Sequence, residues 1–86
     1  MDGEGVILVQ FDELMDPRPS EKTGRTYHFV SVKREGQGTG ELYVTEELYK
    51  KVRSLALKAG EQFALVFKLN KFKGQFEPRL VDAVRI

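Results

Sequence analysis

The chain has 86 residues, of which 41% are hydrophobic and 31% are charged, and it contains no cysteine. This length suits a single hydrophobic core, so we expect residues 1–86 to form one domain. Without cysteine, disulfides and thiolate metal sites are excluded, and a reducing compartment suits the chain. No signal peptide and no run of membrane-spanning length is recognisable, so we expect a cytoplasmic protein without membrane contact.

The net charge of +1 conceals an uneven distribution of charge along the chain. Residues 1–16 contain five acidic residues and no basic one, which leaves 14 basic and eight acidic residues in the remaining 70. The basic residues concentrate in two segments: Arg18, Lys22, Arg25, Lys33 and Arg34 in the first, and Lys68, Lys71, Lys73, Arg79 and Arg85 in the second. Clustered Lys and Arg can neutralise nucleic-acid phosphates, although a solvated protein face has the same composition.

Three short strands are predicted in the first half of the chain. The apolar residues 6–11 form the first. The prolines at 17 and 19 exclude central-strand pairing, so residues 16–24 are expected to form a loop. Residues 25–33 form the second strand and residues 41–44 the third. The glycine-rich link between them, residues 35–40, is expected to be mobile.

A change of hydrophobic period then predicts one helix. Its apolar positions recur at helical spacing: Leu48, Val52, Leu55, Ala56 and Ala59. Thr45 suits the N-cap and Gly60 the C-terminal stop. Two further strands, residues 62–69 and 79–86, follow, and residues 70–78 form the hairpin tip between them.

The predicted order is three strands, one helix and two strands. This order favours an all-β fold, a five-stranded oligonucleotide-binding (OB) Greek-key barrel with one helix between strands 3 and 4. Closure of such a barrel removes most of the sheet edges that would otherwise be exposed. An SH3-like barrel also has five strands, but a long helix between strands 3 and 4 fits it less well.

The second strand assigns its side chains to two faces by alternation. One face carries His28, Val30 and Val32, and the other carries Tyr27, Phe29, Ser31 and Lys33. The two valines indicate that the first face is the core side. Tyr27 and Phe29 then point outward between Arg25 and Lys33, an arrangement suited to stack bases and neutralise phosphates. The alternative is that the strand is buried on both faces and the two rings pack inward.

The hairpin tip and the last strand form a second candidate region. Phe72, Lys73 and Phe76 lie close together at the tip, where a ring either covers the barrel end, contacts nucleic acid or crosses a dimer interface. In the last strand, alternation groups Arg79, Val81, Ala83 and Arg85 on one face and Leu80, Val84 and Ile86 on the other. The two arginines would extend a basic surface, and a solvated strand face would look the same.

Catalytic patterns have little support in this sequence. The single histidine, His28, falls on the predicted core face without a neighbouring cysteine, serine or carboxylate arrangement. Glu46 and Glu47 are explained by the helix N-terminus, and the glycines at 36–40 lead into a strand without the Gly-Lys-Ser or Gly-Lys-Thr of a phosphate-binding loop. We therefore expect no enzyme activity, no cofactor, no metal and no small-molecule substrate.

Two segments resemble known single-stranded DNA-binding proteins. Residues 22–27, Lys-Thr-Gly-Arg-Thr-Tyr, resemble the Lys-x-Gly-x-x-Tyr pattern at the start of the DNA-binding strand in single-stranded DNA-binding barrels. Residues 72–76 followed by residues 80–86 resemble the C-terminal hairpin and last strand of filamentous-phage helix-destabilising proteins. The chain departs from the phage pattern in its helix, in a one-residue-shorter spacing at the tip, and in having Ala83 where a second basic residue would accompany Arg85.

The resemblance implies roles for individual residues. Tyr27 would stack on bases, and Phe29 would provide the neighbouring apolar contact. Phe76 would lie on a loop that helps to form a homodimer and presents its ring to DNA held by the partner subunit. The chain has no acidic tail like the one with which cellular bacterial versions recruit replication enzymes, which favours a phage or mobile-element protein in the host cytoplasm.

The sequence thus predicts a sequence-tolerant single-stranded DNA-binding protein of replication or recombination. The expected binding residues are Arg18, Lys22, Arg25, Tyr27, Phe29, Lys33, Phe72, Lys73, Phe76, Arg79 and Arg85. Two alternatives stay open. One is an RNA-binding OB-fold protein, because stacking and charge do not distinguish the two sugars. The other is a protein-interaction barrel without nucleic-acid affinity.

Overall fold

The computed structural model describes residues 3–86, and within that range everything except the side chain of Phe72. Asp2, one of the five acidic residues near the N-terminus, therefore lies outside the described residues. The described chain contains six strands and one helix: β1 (Gly3–Leu14), β2 (Arg18–Pro19), β3 (Thr26–Arg34), β4 (Gly38–Val44), α1 (Glu46–Ser54), β5 (Gln62–Phe72) and β6 (Gln75–Arg85). The domain is mostly β, as predicted, with the helix between β4 and β5.

The strands form one antiparallel sheet in the order β2-β3-β1-β5-β6, and β4 also pairs with β3. β1 and β2 pair with β3 in succession, with Leu14 opposite Val30 and then Arg18 opposite Tyr27. The two-residue β2, in the predicted loop, raises the strand count from the predicted five to six. Its proline is compatible with pairing because β2 is an edge strand. A closed barrel is not confirmed, since no pairing joins β4 to β6 within residues 3–86.

The hydrophobic core lies on the inward face of the sheet, under the helix. The sheet contributes Val9, Phe11, Val30, Val32, Phe63, Leu65 and Ala83, and the helix contributes Leu48, Tyr49 and Val52. Phe63 is fully buried, and its ring meets that of Phe11 edge-on at 6.2 Å between centroids. Alternation in β1, β3 and β5 therefore directs one row of apolar side chains from each strand into a single core.

The helix begins where the sequence predicts, but it ends at Ser54, before the predicted stop at Gly60. The Thr45 side chain caps it by accepting a hydrogen bond from the backbone N–H of Leu48 at 3.1 Å, which confirms the N-cap. The helix ends at Ser54 because Ala56 adopts a left-handed φ of 50°, and the chain turns there. Gly60 therefore lies in the turn before β5, where its φ is 89°. Its backbone N–H donates a hydrogen bond to the Phe11 carbonyl at 2.7 Å.

Four of the five predicted strands are longer than predicted, and β3 keeps its predicted length but is shifted by one residue. The predicted tip at residues 70–78 contracts to a two-residue turn, because β5 and β6 pair as far as Phe72 opposite Gln75. The turn residues Lys73 and Gly74 both have positive φ, 48° and 80°, as a type I′ hairpin turn requires. Similarly, β4 begins at Gly38, within the link that was predicted to be mobile.

A β-bulge in β6 reverses the predicted faces of the last strand. Val66 lies opposite Asp82 and Phe67 opposite Leu80, so Val81 is an extra residue between two pairs. Beyond the bulge, Ala83 points into the core and is fully buried, whereas Val84 is 40% exposed. The prediction that Arg79, Ala83 and Arg85 share one face is therefore wrong, because a single inserted residue shifts the two-residue period.

Candidate nucleic-acid interface

Strand β3 places Tyr27 and Phe29 on the outward face of the sheet, opposite the core. Val30 and Val32 are 2% and 4% exposed and belong to the core, and His28 packs on Tyr49 of the helix at 5.0 Å between ring centroids. The predicted alternation is thus confirmed for Tyr27 and Phe29 against Val30 and Val32, whereas Ser31 of the predicted outward set is 4% exposed and donates a hydrogen bond to the Asp12 carboxylate at 2.8 Å. Tyr27 and Phe29 are only half-buried, so the alternative in which both rings enter the core is wrong.

A third aromatic ring, that of Tyr43, completes a cluster on this face. Tyr43 lies on β4 directly opposite Phe29, with 5.9 Å between ring centroids and nearly perpendicular ring planes. Its ring also lies 5.6 Å from that of Tyr27 in a tilted arrangement. The Tyr43 side chain is 58% exposed, which makes it the most accessible member of the cluster.

Sequence reasoning missed Tyr43 although the signal was present. In β4 the apolar Leu42 and Val44 alternate with Glu41 and Tyr43, and the latter two take the outward face. The predicted strand included this residue. What the sequence lacked was the register of β4 on β3, which brings Tyr43 beside Phe29.

Arg18 is built into the same cluster. It lies on β2 opposite Tyr27, and its guanidinium carbon lies 4.5 Å from the centre of the Phe29 ring. The same guanidinium forms an ion pair with Glu41 at 2.6 Å. Arg18, predicted as a loop cation, thus covers an aromatic ring and has an acidic partner.

The turn before β3 holds the outer end of this surface in place. The backbone N–H of Ser20 donates to the Arg25 carbonyl at 2.8 Å, and the N–H of Gly24 donates to the Ser20 carbonyl at 2.9 Å. The hydroxyl groups of Thr23 and Tyr27 are 3.2 Å apart and share a hydrogen bond. The Lys-x-Gly-x-x-Tyr segment therefore forms an ordered hairpin turn that positions the Tyr27 ring.

Other predicted basic residues border the aromatic cluster. Lys22 and Arg25 lie at the hairpin turn, and Lys33 lies on the outward face of β3. All three are exposed, and none of them forms an ion pair with another residue in the described part of the chain. Their positive charges are therefore available to an anionic ligand at this face.

The second candidate region lies elsewhere. Phe76 is 55% exposed and pairs with Lys71, on the same sheet face as Pro78 and Leu80, whereas Tyr27 and Phe29 lie on the opposite face. Lys73 lies in the hairpin turn, and the Phe72 side chain is outside the described residues. The Phe76 tip therefore does not share a sheet face with Tyr27 and Phe29, whereas Arg79 of β6 lines a surface pocket together with Tyr43.

The two predicted arginines of β6 have different surroundings. Arg79 lies opposite Lys68 on the outward face. Arg85 lies opposite Phe63, and its guanidinium bonds the Glu61 carboxylate and the Leu55 carbonyl. These contacts tie the end of β6 to the segment that follows the helix. Arg85 thus has a structural position although 47% of its side chain is exposed, and Arg79 has no ion pair among the described residues.

Two apolar surfaces were not predicted. The first is a cleft of about 490 Å³ between the facing edges of β4 and β6, lined by Ile7, Val9, Val32, Leu42, Leu65, Phe67, Leu69, Pro78 and Leu80, with Arg34 as the only charged group. The second lies on the outward face of β1, β5 and β6, where Val6 and Leu8 are 60% and 58% exposed and Val84 is 40% exposed. Register places Leu8, Ala64 and Val84 in one row across the three strands.

Within residues 3–86, no cluster of three His, Asp or Glu side chains could hold a metal ion. The helix in this range is too short and too polar to cross a membrane. No protein-family model matches the sequence, and neither a curated protein nor a solved structure matches it. What the domain does must therefore follow from the chemistry of its own surface.

Proposed function

We propose that this domain binds single-stranded DNA with little sequence preference, through the outward face of β2, β3 and β4. The observation that carries the proposal is the cluster of Tyr27, Phe29 and Tyr43 on that face, with Lys22 and Arg25 before one end of β3 and Lys33 near its other end. A base stacked on an aromatic ring contributes about 1–3 kcal/mol and requires no particular base. Three adjacent rings and their basic border suit a flexible strand whose bases are unpaired. The role is one of binding, and no catalytic step is assigned.

The proposal includes the fold that such a surface suggests. Five of the strands follow the order β4-β3-β1-β5-β6 with a helix after β4, and an OB fold is a Greek-key barrel that is often only partly closed. We assign the domain to this fold, with its open side between β4 and β6, which have no hydrogen-bonded pairing within residues 3–86. In OB folds nucleic acid binds to the face of the second and third barrel strands, which here are β3 and β4.

The decisive experiment is a titration of a labelled oligothymidylate followed by fluorescence anisotropy at low and raised ionic strength. We expect binding that weakens steeply with salt, and an unlabelled duplex that competes poorly. Tyr43→Ala should weaken binding about 5- to 150-fold, the range that corresponds to one stacked base. Leu8→Ala is the matched control because Leu8 is equally exposed, at 58%, on the outward face of a neighbouring strand. Equal losses of affinity in the two variants would contradict the proposed binding site on β2, β3 and β4.

The choice between DNA and RNA rests on the sugar, because stacking and charge serve both. Competition between oligothymidylate and oligouridylate of equal length decides it. We propose DNA from the resemblance of residues 22–27 and 72–86 to single-stranded DNA-binding proteins. The same resemblance supports a role in the replication or recombination of a phage or mobile element in the host cytoplasm.

The proposal extends to a homodimer. The exposed ring of Phe76, on the opposite sheet face from Tyr27, supports a contact outside its own subunit. In this arrangement the tip residues Phe72, Lys73 and Phe76 act on DNA held by the partner. Sedimentation equilibrium of the wild-type chain and of Phe76→Ala tests the dimer independently of nucleic acid. A monomeric wild type would remove the dimer and leave the face of β2, β3 and β4 as the proposed binding site.

A second candidate function is a protein-interaction module. It is favoured by the exposed apolar side chains of Val6, Leu8 and Val84 on the outward face of β1 and β6. Neighbouring exposed apolar side chains often mark a protein contact. This candidate predicts no oligonucleotide affinity even at low salt. The titration above therefore separates the two functions.

A further inference from the structure

We propose that Arg18 and Glu41 form a latch over the stacking surface, which single-stranded nucleic acid opens by drawing Arg18 from Glu41 onto a phosphate. The inference rests on the proposed function of this surface and adds the way in which it is regulated. It also assigns a role to Glu41, an acidic residue that would otherwise be out of place on a surface that binds an anion.

The geometry places the latch across β3. Arg18 lies on β2 and Glu41 on β4, and both strands pair with β3. Their side chains nevertheless meet, at 2.6 Å between the guanidinium and the carboxylate. The guanidinium reaches Glu41 by passing over the ring of Phe29, whose centre lies 4.5 Å away. One face of Phe29 is therefore covered by Arg18 when the surface is empty.

The charges of the basic residues on this surface explain why nucleic acid would open the Arg18–Glu41 latch. Lys22, Arg25 and Lys33 have no ion pair among the described residues, so Arg18 is the basic residue of this surface whose charge is already neutralised. The side chains of Arg18 and Glu41 are 49% and 42% exposed, and ion pairs this accessible to water are weak. A backbone phosphate carries the same single negative charge as the Glu41 carboxylate and can accept two guanidinium N–H groups, whereas Glu41 accepts one from Arg18 here.

Opening would change the surface in two ways. Arg18 would gain a phosphate contact, and Phe29 would gain a free face on which a base can stack beside Tyr27 and Tyr43. Glu41 opposes both changes, since it holds Arg18 and repels phosphate. Removing its charge should therefore tighten binding, the opposite of what loss of a binding residue does.

The test is a double-mutant cycle on oligothymidylate affinity at low ionic strength, where exposed ion pairs are least screened. We expect Glu41→Gln to tighten binding about two- to five-fold, the factor that corresponds to one exposed ion pair. We expect Arg18→Gln to weaken binding. In the Arg18→Gln background, Glu41→Gln should keep only the gain that comes from removing a charge that repels phosphate, because there is no longer an arginine to release.

Glu46→Gln is the matched control. Glu46 lies near Tyr43, along the edge of the same surface, but its partner is Lys50 at 3.6 Å. The Glu46→Gln variant loses the same charge and one exposed ion pair. Any small effect on oligothymidylate affinity should therefore be the same with or without Arg18. A gain from Glu41→Gln that is as large in the Arg18→Gln background as in the wild-type background, or no gain at all, would overturn the latch while wild-type binding upholds the proposed function. No binding by the wild-type chain would overturn the proposed function itself.

Discussion

Gly5 lies in β1 directly opposite Phe67 of β5, and it has no room for a side chain. A Cβ built at Gly5 would lie 2.4 Å and 2.7 Å from two atoms of the Phe67 ring, well inside van der Waals contact. The outer edge of the ring, at Cζ and Cε1, therefore lies against the backbone of β1. Gly5→Ala forces this half-buried ring to move by about an ångström or forces the two strands apart.

The expected cost follows from two opposing effects. Overpacking of this kind destabilises a protein by about 1–3 kcal/mol. Replacing glycine by alanine also restricts the unfolded chain, which stabilises by about 0.4–1 kcal/mol where the native backbone permits it. We therefore expect Gly5→Ala to lower the free energy of unfolding by about 1–2 kcal/mol.

Equilibrium urea denaturation followed by circular dichroism measures this change, since a domain of this size is expected to unfold in two states. Gly40→Ala is the matched control: Gly40 also lies in a strand without positive φ, and nothing lies within 4 Å of a Cβ there. It should be neutral or stabilising by up to about 1 kcal/mol. Equal free energies of unfolding for the two variants would refute the packing of Phe67 on Gly5 and, with it, the β1–β5 register.

Three further variants test separate parts of the structure. Thr45→Ala removes the cap on the Leu48 N–H and should lower the free energy of unfolding by about 1 kcal/mol in the same urea titration. Phe63→Ala empties a fully buried site and should cost about 3–5 kcal/mol, or prevent folding, as circular dichroism would reveal. Tyr43→Phe keeps the exposed ring and should retain most of the oligothymidylate affinity that Tyr43→Ala loses, whereas an equal loss in both would argue against stacking.

The sequence predicted those features that depend only on residues close together in the chain. The alternation around Val30 and Val32 assigned Tyr27 and Phe29 to the outward face, because a strand has a two-residue period wherever it is buried on one side. The cap at Thr45 was likewise predictable, since a threonine at a helix start bonds a backbone N–H only three residues away.

Other features depend on pairing between distant residues. The bulge at Val81 arises from how β6 pairs with β5, and it reverses every face beyond it. Alternation read along residues 79–86 therefore placed Ala83 outside and Val84 inside, which is the reverse of the structure. The early helix end at Ser54 was likewise not apparent from periodicity: Ala56 adopts a left-handed φ of 50°, and Leu55 and Leu57 on either side of it pack against the core formed by the sheet.

The candidate site divides in the same way. Its composition, two outward aromatic rings among basic residues on one strand, was determined by the sequence, because alternation and charge are properties of a single segment. Tyr43, the Arg18 contact with Phe29 and the ion pair with Glu41 were decided only by the tertiary structure. These three join strands that are separated by up to 23 residues in the chain, and only the hydrogen-bonded register of β2 and β4 on β3 brings them onto one surface.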